Sequence, residues 1–127
     1  MRDLSDGMNR LLDRLAESDE VAAIDLALAR MLAEHDRGHA EAVALGAALV
    51  SMLQRSGHSA VRVGPEVDGE ATWAGRDVPG TTLALPDAEA WTAALAASPV
   101  VGEPGDEETR PLVLDDGRLS LYRLWAA

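Results

Sequence analysis

The chain has 127 residues, 47% of them hydrophobic and 26% charged, which suits one domain with its own core and is too short for two. Its 22 Asp and Glu against 11 Arg and no Lys give a formal net charge of -11, the wrong sign for gripping a phosphate backbone directly. Having no cysteine, it is excluded from disulfide, thiolate and cysteine-bound zinc chemistry, and without lysine it cannot build a Walker A loop.

The opening MRDLSDGMNRLLDRL carries charges throughout and has no apolar signal-peptide core, so the expected location is the cytoplasm, with no membrane partner. Arg in place of every Lys, with abundant Ala, Leu, Gly and Asp, fits a GC-rich bacterial genome.

In the segment Met8 to Glu17, Met8, Leu11, Leu12 and Leu15 fall on one helical face, which predicts a short amphipathic helix. A second helix is expected to start after Ser18, capped by its hydroxyl with Asp19 and Glu20 near the positive end of the dipole, and to run to about Asp36. It carries two apolar stripes, Val21, Ile24, Leu28, Met31 and Leu32 on one side and Ala22, Leu26, Ala29 and Ala33 on the other. That pattern predicts a central helix.

Gly38 interrupts the pattern before a third helix, about His39 to Arg55, which Gly57 ends. The second and third helices form a hairpin. Gly46 lies within the apolar arc of the third, a position most easily explained if the flat spot admits an Ala-rich face of a neighbour.

From His58 to Leu85 periodicity gives way to Gly, Pro and acids. This predicts a long loop with at most a short strand at Ala60 to Val63, either a partner-binding segment or a connector pinned by Val67 and Trp73. Leu85-Pro86-Asp87 opens a fourth helix with Pro86 in its first turn and Trp91 and Leu95 on one face, stopping near Ser98-Pro99. In PLVLDDGRLSLYRLW, Asp116-Gly117 signals a type I′ turn that pairs Leu114 with Leu119 and Leu112 with Leu121.

The expected fold is therefore mainly α (α+β). It is a small bundle of about four helices with a C-terminal β-hairpin packed on it, residues 1–127 forming a single domain.

Candidate chemistry is sparse. His35 and His39 have metal-ligand spacing beside Glu34 and Asp36, but Gly38 separates the imidazoles and no third ligand is fixed. Ser56, His58 and Ser59 read as a polar turn, with no nucleophile elbow. The acids at Asp106 to Glu108 and at Asp115-Asp116 lie in turns without an apolar pocket to part their pKa values. The reading from residues alone is a domain with no catalytic, cofactor-binding or metal-ligating residues, working by contact with another protein. Tyr122, Trp125 and Trp73 are the candidate interface residues, Tyr122 and Trp125 alternatively covering the domain's own core or a junction with a following domain.

Three stretches in order, LALARMLAEHD, AWTAALAASPVVG and above all PLVLDDGRLSLYRLW, resemble the N-terminal domain of RecD, the alpha subunit of exodeoxyribonuclease V, the RecBCD helicase-nuclease. The resemblance implies a domain that precedes an ATP- and Mg-dependent 5′ to 3′ helicase motor. It also implies attachment of that motor to RecC-like and RecB-like subunits for DNA double-strand break repair and recombination, with DNA reached only through the whole complex. The motor domains are absent from this chain, which stops at Ala127 just after the hairpin, so it is expected to be either a piece of a longer protein or a truncated gene product. The competing reading is a free-standing helical adaptor or regulator.

Overall fold

The computed structural model describes residues 6–78, 83–105 and 110–121. In chain order these form α1 (Asp6–Ala16), α2 (Ala23–His35), a 3-10 turn (Arg37–His39), α3 (Ala40–Arg55), β1 (Val61–Arg62), α4 (Ala88–Ala96), β2 (Val101–Gly102), β3 (Leu112–Asp115) and β4 (Arg118–Leu121). The α+β expectation holds, with the strands gathered toward the C-terminal end.

The helix at the centre is α3. Every residue from Val43 to Leu53 is buried, as its run of small and branched apolar side chains requires of a helix covered on all sides. Leu11, Leu12 and Leu15 of α1 join the same core, as their helical spacing predicts. α2 runs antiparallel to α3, because Asp25 near its start meets Ser51 and Arg55 near the end of α3. On α2 the structure corrects two expectations.

The helix begins at Ala23, four residues later than Ser18 predicts. Ser18 instead closes a turn of its own, its Oγ accepting from the Glu20 amide at 3.2 Å and its carbonyl from the Val21 amide. The Asp25 carboxylate then reaches back to the Ala22 amide at 2.8 Å, supplying the missing first-turn acceptor. The second correction concerns the two stripes. Ala29, Leu32 and Ala33 are buried against α3, whereas Ile24 is 65% and Met31 48% exposed. α2 is thus a flanking helix with one covered side.

Asp36, at the end of α2, caps the 3-10 turn through the His39 amide at 3.2 Å and contacts the His39 Nδ1 at 3.0 Å. α3 ends as expected at Gly57, whose φ of +97° suits glycine.

The segment after α3 is more structured than a connector. β1 pairs antiparallel with β4, a tight Val67–Glu70 bridge forms a turn, and Asp77 bridges to Ala84. Its apolar anchors are Val78 and Leu85, both buried, with Trp73 partly buried, while Val67 is 41% exposed. Val67 sits beside the positive-φ residues of the 67–70 turn, too far out on its tip to act as the pin.

α4 starts two residues later than a proline in its first position suggests. Asp87 caps it by accepting from the Ala90 amide at 2.9 Å, leaving Pro86 just outside the helix. Trp91 and Leu95 are fully buried on one face, as their spacing predicts.

The C-terminal hairpin has the predicted register, Leu114 opposite Leu119 and Leu112 opposite Leu121. Asp116 and Gly117 both have positive φ, 51° and 81°, as a type I′ turn demands. It is the middle of a four-stranded sheet of order β1-β4-β3-β2, with β2 parallel to β3. The flanking strands are two residues each, below the length at which alternation registers in sequence.

Gly117 is the position where glycine is indispensable. A Cβ there would come within 2.6 Å of the Arg62 guanidinium and 3.3 Å of the Gly64 backbone, on top of the left-handed φ. Gly117→Ala is expected to lower stability by about 2 kcal/mol, read as a shift in urea midpoint.

Candidate docking surface

The polar groups of greatest chemical interest are spent on structure. Asp25, with no solvent exposure, accepts from Ser51 Oγ at 2.5 Å and from Arg55 Nη2 at 2.5 Å, in addition to the Ala22 amide. Burial pushes its carboxyl up, but the hydrogen bonds from Arg55, Ser51 and Ala22 outweigh this and hold it below the usual carboxylate range. For Asp36, too, burial pushes upward and loses, here to hydrogen bonds from Ser98 and His39.

The cluster of buried Asp25 and Ser51 with the partly exposed Arg55 escapes the sequence reading. Its signal is a charge inside an apolar helix turn, opposite Ser51 and Arg55 spaced i, i+4 on α3. It ties helix to helix.

The histidines do not assemble a metal centre. His39 is turned onto Asp36, His35 is exposed at the end of α2, and no cluster of three or more potential ligands occurs among the described residues. Ser56, His58 and Ser59 form an exposed turn after α3.

Of the three candidate interface residues, Tyr122 and Trp125 lie outside the described residues. Trp73 is described, and several bonds fix its position. Its amide donates to the Arg62 carbonyl at 2.8 Å, tying it to the outer edge of β1, while Thr72 Oγ1 accepts from the Ala74 amide at 3.0 Å. The Gly75 amide donates to the Pro86 carbonyl at 3.0 Å, joining this stretch to the approach of α4. Arg76 stacks its guanidinium 4.8 Å from the indole centroid, a cation–π contact.

Arg62, whose carbonyl holds the Trp73 amide, also anchors an ionic network. Arg62, 5% exposed, donates to Glu70 at 2.7 Å and to the Pro65 carbonyl at 3.1 Å, and Arg118 donates to the same Glu70 oxygen at 2.9 Å. These two bases hold the Glu70 carboxyl below the usual range. The Gly117 carbonyl accepts from the Val63 and Gly64 amides at 2.8 and 3.0 Å, so hydrogen bonds tie the hairpin tip, β1 and the 65–76 segment together. A half-covered tryptophan on so fixed a support loses little entropy when a partner covers the rest of it.

The described residues also enclose an open groove among α1, α3, the approach to α4 and α4 itself. Its lining is apolar apart from Glu41, with Leu11, Leu45, Leu83, Pro86 and Trp91 as the larger contributors. Its floor is fixed by the Trp91 indole N–H, which donates to the Ala42 carbonyl at 3.1 Å. No helix among the described residues is long and apolar enough to cross a membrane.

No curated protein matches the chain. A family model described as the N-terminal domain of RecD, a subunit of the RecBCD enzyme, matches residues 17–120, from just after α1 into β4. The match takes in the α2–α3 hairpin, α4 and all of the four-stranded sheet but the last residue of β4, and on that span the chain belongs to the family of RecD N-terminal domains.

Proposed function

We propose that this domain is the non-catalytic assembly module of a RecD-type helicase subunit, docking it onto a RecC-like subunit beside a RecB-like one in double-strand break repair and recombination. The observation that supports it most is the family match across residues 17–120. The chemistry agrees, since the buried carboxylates are committed to helix ties and capping. In this reading ATP and Mg belong to the motor region of the full-length protein, and DNA is reached only through the assembled complex, which works in the cytoplasm. The acidic balance of the chain favours a basic partner surface.

Co-expression with a RecC-like subunit is expected to give a one-to-one complex on size-exclusion chromatography. Persistent separate elution at micromolar concentration would sink the proposal in favour of a free-standing adaptor. Within the complex Trp73, together with Tyr122 and Trp125, is proposed to supply aromatic contacts. Trp73→Ala is expected to weaken binding about 10-fold or more by titration calorimetry, the melting temperature of the isolated chain serving as the control for folding.

A further inference from the structure

α2 buries one side against α3 and leaves Ile24, Ala27 and Met31 exposed on the other, with Leu28, partly buried against the core, at their border. At spacings of three and four these residues form a single stripe along the helix. Isolated exposed apolar residues need no explanation, but a stripe of large ones on one helix does.

The fold enforces this exposure. Turning α2 about its axis to bury Ile24 and Met31 would withdraw Asp25 from Ser51 and Arg55, its partners on α3 at 2.5 Å each. It would also bring Ala29, Leu32 and Ala33, all at most 1% exposed, out to water. The helix is therefore locked in the one orientation that presents the stripe outward.

Charge selects what covers it. Exposed Asp19 and Glu20 precede the stripe and Glu34 follows it, with Arg30 on one flank of α2. A second copy laid antiparallel would bring the acids at one end against those at the other, and an anionic lipid surface would meet the same acidic ends. A partner protein with an apolar patch bordered by Arg or Lys meets neither obstacle.

We infer that the outward stripe Ile24–Ala27–Leu28–Met31 is a docking face for an apolar, basic-bordered surface of the partner subunit. This rests on the assembly role proposed above and adds a second face to it, carried by α2 instead of the Trp73 segment.

The test uses the whole chain and the purified RecC-like subunit, with affinity read by calorimetry and folding by circular dichroism. Ile24→Asp combined with Met31→Asp is expected to weaken binding about 30-fold or more with an unchanged melting temperature. Ser56→Asp combined with Ser59→Asp, which adds the same two negative charges on the exposed turn after α3, is expected to bind like the parent. Glu20→Lys with Glu34→Lys is expected to slow association about fivefold at low salt if basic residues face them.

Parent-level affinity in the Ile24/Met31 variant overturns this face while leaving the assembly role standing. Failure of the parent chain itself to bind overturns the assembly role, and this inference with it. A self-associating parent chain that the double variant renders monomeric identifies a second copy as the occupant and overturns the inference.

Discussion

Asp25→Ala is expected to lower unfolding free energy by about 3 kcal/mol and the melting temperature by roughly 10 °C. The carboxylate is fully buried, and four groups on three residues depend on it: the Ala22 amide, the Ser51 hydroxyl, and both Nε and Nη2 of Arg55. Removing it leaves Ser51, itself buried, without its acceptor and the start of α2 without its first-turn partner. Arg55 is 42% exposed and also donates to the Glu20 carbonyl, so it can return to water. That freedom places the cost at the lower end of the range for breaking a buried pair. Urea unfolding of Asp25→Ala checks the magnitude, and a loss below about 1 kcal/mol would show the cluster to be dispensable. Replacing Asp25, Ser51 and Arg55 together by Leu, Ala and Met is expected to recover most of the loss, because an apolar contact needs no hydrogen bonds.

The same cluster sets the acid limit of the fold. The folded carboxyl of Asp25 lies below its ordinary value, so its contribution is fully present above the unfolded pKa of about 4 and is lost as pH falls through the folded pKa. Asp36, held down against burial by Ser98 and His39, and Glu70, held down by Arg62 and Arg118, act in the same direction. Stability measured by urea titration is expected to be level from neutral pH to about 5 and to fall steeply below about 4. Arg55→Ala removes the strongest of the influences that lower Asp25 and is expected to flatten that acid limb.

How much of this was legible depended on the length over which a pattern repeats. α1, α3, α4 and the Asp116-Gly117 hairpin announce themselves because periodicity runs over a full helix, or because a turn demands two residues of positive φ. β1 and β2, two residues each, exist only because β4 and β3 offer them edges, and such pairing has no local signal. The start of α2 misled because Ser18 is an excellent cap used for another turn, while Asp25, three residues into the real helix, makes the cap from inside. The two apolar sides of α2 were visible in sequence. Which one the fold would cover was not, since that is decided by the pairing of Asp25 with residues on α3, 26 and 30 positions away. Trp73 was identifiable as an aromatic among polar residues, but its support by Arg62, Glu70 and Arg118 is a tertiary arrangement that no spacing encodes.

Gly46 shows how a correct local reading can miss its neighbour. The glycine is needed for close approach, but what approaches is the sheet: a Cβ at Gly46 would lie 2.7 Å from Leu119 Cδ2 on β4 and 3.6 Å from Leu95 on α4, not against an Ala-rich helix face. Leu119 and Leu95 are fully buried, so a large side chain has nowhere to go. Gly46→Leu is expected to cost about 3 kcal/mol through overpacking, whereas Gly46→Ala stays within about 1 kcal/mol. In that smaller change a gain in helix propensity of similar size offsets the small yielding of a flexible leucine tip. The two expectations separate steric contact from backbone freedom, because both variants remove the glycine and only one fills the gap. Coupling identifies the neighbour. Leu119→Ala alone is expected to destabilise by about 3 kcal/mol, but in the Gly46→Leu background by at least about 1 kcal/mol less, since the new side chain occupies the vacated volume. Additive losses in that cycle would mean that α3 and β4 do not meet at Gly46, and an unchanged urea midpoint for Gly46→Leu would remove the close approach altogether.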